Sequence, residues 1–257
     1  MLNKAKSIQG FKLSGTDGEV GNVKEFIFDD NYWAIRYLVV STGGWLSGRQ
    51  VLISPFFIQG INYDVDLIHV DLTRSEIENS PRFEDDMTVS PNYEEEYYNY
   101  YGSPVYWDGP QMWGSSSDIV HDREKWETIP REENVWSPKL NNTKDVRGHF
   151  IQATDNEVGH VDDFIFDDEN WAIRYLIIDT KNWLPGKKVL ISPEWIDKIS
   201  WEDSKVYVQL TRDAIRRAPE YDDDIDMITR EYESKLYRYY EKQGYWAEEK
   251  VGKDYSR

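Results

Sequence analysis

Two pairs of adjacent carboxylates, Asp29-Asp30 and Asp167-Asp168, end two copies of the pentapeptide Phe-Ile-Phe-Asp-Asp, at residues 26–30 and 164–168. Paired carboxylates suit general acid–base work or a hard cation. They are also ordinary turn formers, because a short side-chain oxygen bonds its own backbone two residues on. Arg36 and Arg174 follow within the repeated hexapeptide Trp-Ala-Ile-Arg-Tyr-Leu. An arginine on an apolar strand face requires a carboxylate partner. Asp17 or Asp29 can serve Arg36, and Asp155 or Asp167 can serve Arg174, across neighbouring strands. The expected role is a structural ion pair rather than a ligand clamp.

The remaining chemistry is sparse. Asp222-Asp223-Asp224-Ile225-Asp226 lacks the alternate oxygens, the glycine and the distant glutamate of a calcium loop, and reads as a solvated acidic loop. His69, His121, His149 and His160 share no ligand spacing. There is no cysteine, which excludes disulfides and thiolate catalysis. No nucleophile elbow, phosphate loop or zinc-protease motif is present. The expectation is a protein that is not an enzyme, with no catalytic residue, metal ligand or cofactor.

The elements that must carry these residues are duplicated. From about residue 10 to residue 86 the two copies align without a gap at an offset of 138. Each opens with a short strand (Phe11-Lys12-Leu13, Phe150-Ile151) and a turn (Asp17-Gly18, Asp155-Asn156). Gly18 and Asn156 are both expected at positive φ. Gly21 and Gly159 mark a bulge or a close backbone approach in the next strand. The strand from Trp33 to Val40 is apolar on both faces, so one face lines a core and the other lies under a cover. Further strands at 51–55 and 65–72 make five or six short strands, enough for a small barrel without exposed edges. Thr73 and Thr211 then cap a short helix; only the first copy adds a capping-box glutamate, Glu76.

A tyrosine-rich helix ends each unit, now at an offset of 139. Tyr93, Tyr97, Tyr100 and Tyr101 share a face in the first copy, and Tyr232, Leu236, Tyr239 and Tyr240 in the second. Such a face packs on the chain's own barrel or serves as an interface, where tyrosine is enriched. The domains are read as 1–107, a linker 108–143 whose Trp113, Trp126 and Trp136 dock onto the barrels, and 144–257.

Thirty basic and 48 acidic residues give a net charge of −18. Nucleic-acid binding begins with cations that neutralise phosphates, so nucleic acid is excluded as a partner. No run approaches the roughly 18 apolar residues of a transmembrane helix. The N-terminus lacks the apolar stretch of a signal peptide, and a cytoplasmic location is expected.

The turn Asp17-Gly18-Glu19-Val20-Gly21 and the strands 35–40 and Val51-Leu52-Ile53-Ser54-Pro55 together resemble the PRC-barrel family. That family includes the cytoplasmic domain of the photosynthetic reaction-centre H subunit and the C-terminal domain of the rRNA maturation factor RimM. The tyrosine tail is similar to the extension after the barrel in stand-alone bacterial members. The resemblance implies a mainly β fold of two tandem antiparallel barrels, each followed by a short helix and a tail helix, and a protein-binding or scaffold role. No active-site residue of the family maps onto this chain. Self-association is expected, as an internal pseudo-dimer of the halves or as a homodimer. A metal- or small-molecule-binding protein or enzyme using Asp29, Asp30, Asp167 and Asp168 is the alternative, and a ribosome-associated factor a lesser one.

Overall fold

The computed structural model describes residues 1–84, 88–103, 105–106, 139–180, 187–222 and 228–247. The tryptophans of the linker, His121, the turn at 184–186 and Asp223–Asp226 lie outside the described residues. In chain order the strands are β1 (Leu2–Lys4), β2 (Lys12–Gly15), β3 (Gly18–Asp29), β4 (Ala34–Ser41), β5 (Gln50–Ile53), β6 (Ile58–Asn62) and β7 (Leu67–Val70). They continue as β8 (Leu140–Asn142), β9 (Phe150–Gln152), β10 (Glu157–Asp167), β11 (Ile173–Asp179), β12 (Lys188–Ile191), β13 (Ile196–Ser200) and β14 (Lys205–Val208).

Two seven-stranded sheets result. One runs β5-β4-β3-β2-β7-β6 with β8 added on β3, the other β12-β11-β10-β9-β14-β13 with β1 added on β10. Not every pair is antiparallel, as the sequence had suggested: β2 with β7 and β9 with β14 pair in parallel. The long connection from β2 to β7 permits this, because a parallel neighbour needs a crossover and not a hairpin.

β4 is the strand the fold is built around, and every residue from Ala34 to Val40 is buried. It lies between β3 and β5 in the sheet. Phe26, Phe28, Leu38, Leu52 and Ile68 supply the apolar core of this unit; Phe164, Phe166, Leu176, Leu190 and Val206 supply that of the other. Each buried side chain of this size contributes about 1.5–3 kcal/mol. Both copies repeat the same irregularities, with register shifts at Val23/Glu25 and Ile27/Phe28 in β3 and at Val161/Asp163 and Ile165/Phe166 in β10.

Gly21 and Gly159 are the close approaches expected of them. A Cβ on Gly21 would stand 2.0 Å from the carbonyl oxygen of Ser41, and one on Gly159 2.3 Å from that of Asp179. The first turn does not behave alike in the two copies. Gly18 has φ 146°, but Asn156 stays out of the positive-φ region. Its side-chain oxygen accepts the Glu157 N–H at 2.9 Å, and its carbonyl accepts the Ala153 N–H at 3.0 Å, so side-chain and backbone bonds replace the special conformation. The left-handed non-glycine residues include Trp33 (φ 50°) and Trp171 (φ 60°), which end the two aspartate turns.

The chain divides into two compact units that do not follow the repeat boundaries. The unit of the first repeat also takes in residues 140–144 and Asp167–Ala172, and the unit of the second also takes in Met1–Asn3. β8 falls within residues 108–143, read from the sequence as a linker. Leu140-Asn141 echoes Leu2-Asn3 at the offset of 138, and the opening strand of each repeat is found on the long strand of the other: β1 on β10, β8 on β3. Thr143 fixes this junction, donating its hydroxyl to Glu25 Oε2 at 2.8 Å.

Thr73 caps Arg74–Glu78 with a complete capping box, and Thr211 caps Arg212–Arg217 by accepting the Ala214 N–H at 3.2 Å. The tail helices are Pro91–Tyr101, capped by Ser90, and Arg230–Tyr239, capped by Thr229. Among the described residues no helix is long and apolar enough to cross a membrane.

Candidate functional site

Asp29 and Arg36 meet, as their spacing across the β3–β4 hairpin allows. Arg36 Nη2 lies 3.2 Å from Asp29 Oδ2 with both side chains fully buried. The other oxygen of Asp29 accepts the Asn31 N–H at 2.9 Å, so one carboxylate forms the turn and pairs the arginine. Asp17 and Asp155 have a different task. They accept the N–H of Arg74 at 2.8 Å and of Arg212 at 2.7 Å, at the starts of the two short helices. An N–H at the first turn of a helix lacks an internal acceptor, which is why a carboxylate settles there. Asp167 accepts the Glu169 N–H at 3.2 Å within its turn. Arg174 is half-buried, with its guanidinium 4.0 Å above the ring of Tyr245.

Most of the tyrosine face packs on its own barrel. Tyr97 is fully buried; its hydroxyl donates to Leu52 O at 3.2 Å and accepts the Ser54 N–H at 3.0 Å. Tyr93 and Tyr101 stack on Tyr97 at 6.3 and 4.8 Å, and Tyr37 of β4 meets it edge-on at 5.2 Å. In the second copy Leu236, Tyr237 and Tyr240 are buried, with Tyr240 against Trp195 at 4.6 Å. Tyr232 is half-buried and reaches Pro219 O. Of the residues expected at an interface only Tyr100 and Tyr239 stay exposed, at 40% and 37%. Both still donate to the neighbouring short helix, at Glu76 O and Ala214 O.

The centre of the joint is a residue that spacing alone did not single out. Glu94 is 1% exposed, and its Oε1 accepts both the Tyr37 hydroxyl at 2.8 Å and the Tyr106 hydroxyl at 2.9 Å. Burial, with a smaller push from the Asp29 charge, raises Glu94 to about 7, against the pull of the two hydroxyls and Arg36. Burial likewise lifts Tyr37 and Tyr106 well above the ordinary range, so both remain hydroxyl donors. Arg36 lies 4.1 Å over the Tyr106 ring and closes the cluster. Glu233 repeats the arrangement, accepting from Tyr175 at 2.7 Å and Tyr245 at 2.8 Å. Only the repetition of Tyr-Glu at 93–94 and 232–233, within an otherwise exposed acidic stretch, hinted at this role.

Asp30 is raised by burial and then by the Asp29 charge beside it. Asp168 accepts a hydrogen bond from the Tyr63 hydroxyl. It lines, with Glu169, Trp171, Pro55, Ile58 and Gly60, a cavity of about 180 Å³ in the unit of the first repeat. Among the described residues no group of three or more histidines, aspartates and glutamates is placed to hold a metal ion.

No curated protein matches the chain. The family model described as the PRC-barrel domain matches twice, at residues 3–77 and 144–215, which together exceed half the sequence. With two sheets of the same strand order and two matched segments, the chain belongs to the PRC-barrel domain family as a tandem duplication.

Proposed function

We propose that this chain is a non-catalytic, protein-binding or scaffold protein that also self-associates and works in the cytoplasm. The observation that carries the reading is the fate of its titratable groups. Asp29 and Arg36 are fully buried and pair with each other, and Glu94 and Glu233, on the tail helices, are buried and accept from tyrosine hydroxyls. A reaction centre instead needs converging perturbed groups at a cavity that substrate can enter. The surface offers scattered aromatic side chains, among them Tyr32, Tyr100, Trp201 and Tyr239. Aromatic residues of this kind are enriched in protein interfaces. The net charge of −18 favours partners with basic surfaces and opposes nucleic acid.

The test is affinity capture with the tagged full chain, followed by binding of each purified candidate to parent, Tyr100→Ala and Tyr239→Ala proteins. A saturable complex that one of these substitutions weakens supports the reading. Stoichiometric metal or a small molecule retained by the purified protein replaces it with the ligand-binding alternative at Asp29, Asp30, Asp167 and Asp168. Salt-sensitive binding of ribosomal RNA replaces it with a ribosomal role.

A further inference from the structure

The two tail joints hold the same carboxylate with different charge. Glu94 in the first repeat has around it Asp29 from β3, Arg36 and Tyr37 from β4, Tyr98 on its own helix and Tyr106 from the segment that follows. Arg36 is within 3.2 Å of Asp29, so the ionised cluster carries two buried negative charges against one positive. In the second repeat Arg230 Nη1 lies 3.0 Å from Glu233 Oε2 and stacks over Tyr245 and Trp246 at 5.3 and 4.3 Å. The residue equivalent to Arg230 in the first repeat is Pro91. It starts the helix well, since its missing N–H would be unsatisfied there, but brings no charge.

We propose that Glu94 is a pH-sensitive latch, which holds the tail of the first repeat on its barrel when protonated and loosens that tail when ionised, while Arg230 keeps the second tail closed. An isolated buried carboxylate favours its neutral form, and opening hydrates it. The group ordinarily releases its proton near 4.5 and in the closed joint near 7. Between those values the closed form binds more protons than the open one, so raising the pH favours opening. Above 7 both forms are ionised and the dependence ends. The helix released, Pro91–Tyr101, covers Tyr37, Leu52 and Ser54 of the barrel. A rise from about pH 4.5 to 7 thus increases access to an aromatic surface in one repeat only.

Amide hydrogen exchange on the full chain tests this, with the second tail helix as internal control. The ratio of protection in 93–101 to protection in 232–240 should fall up to about tenfold per pH unit between 4.5 and 7, then level off. Glu94→Gln keeps the acceptor oxygen and should flatten that profile. Pro91→Arg, which imports the countercharge of the second repeat, should flatten it without touching Glu94. A ratio that is constant with pH in the parent, or a slope that persists in Glu94→Gln, overturns the proposal. So does a Glu94 carboxyl carbon signal showing ionisation complete by pH 5.

Discussion

The joint at Glu94 and the joint at Glu233 share their hydroxyl donors, their helix and their burial, and differ in one cation. Tyr37 and Tyr106 hold the first, Tyr175 and Tyr245 the second. Arg36 is fully buried and committed to Asp29, whereas Arg174 is half-buried over an aromatic ring, with Arg230 supplying the contact to the glutamate. The difference teaches that a duplicated site can keep its geometry and change its electrostatics through a residue at the helix start. Hydrogen-bond geometry depends on the tyrosines, while the cost of the ionised state depends on the net charge enclosed.

The largest expected effect separates the arginines. Arg36→Ala should lower folding stability by about 3–5 kcal/mol, because Asp29 is left buried without its partner. Arg174→Ala should cost about 1–2 kcal/mol, the value of a partly exposed stacking contact. Denaturant midpoints decide, and equal losses break the comparison. The glutamates should next respond with opposite signs at pH 8. Glu94→Gln removes a charge that burial disfavours and should stabilise by up to about 3 kcal/mol, an advantage that shrinks as the pH falls from 7 towards 4.5 and vanishes only below 4.5, where the parent becomes protonated folded and unfolded alike. Glu233→Gln should destabilise by about 1–3 kcal/mol, since Arg230 loses its counter-charge. Thermal melts across pH 4.5–8 read both, and a shared sign refutes the role given to Arg230.

Two smaller tests mark where the copies agree. Gly21→Ala and Gly159→Ala should cost about 1–3 kcal/mol each and nearly the same, because each new methyl group meets a strand carbonyl. Unequal losses would mean that the two sheets relax differently. Thr73→Ala should cost about 1–2 kcal/mol and Thr211→Ala about 1 kcal/mol or less. The excess in the first is the reciprocal bond of Glu76, which Ala214 cannot make.

Much of this molecule is legible in its sequence, for physical reasons. The duplication, the buried third strand, a bulge or close approach at Gly21 and Gly159, the threonine caps and the need of Arg36 for Asp17 or Asp29 all follow from local rules. Apolar periodicity, the absence of a Cβ, an orphan helix N–H and the cost of an unpaired buried charge act over a few residues or one hairpin. Tertiary structure decided what those rules leave open. The three-residue strands Leu2–Lys4 and Leu140–Asn142 carry too little apolar pattern to announce which long strand they join. Asn156 stays out of positive φ, with its side-chain oxygen accepting the N–H of the next residue, Glu157. Glu94 looked like one acidic residue among several in a solvated helix. Only the approach of Tyr37 from β4 and Tyr106 from beyond the helix enclosed it, because burial is a property of what the rest of the chain brings near, and no residue carries that information in its type.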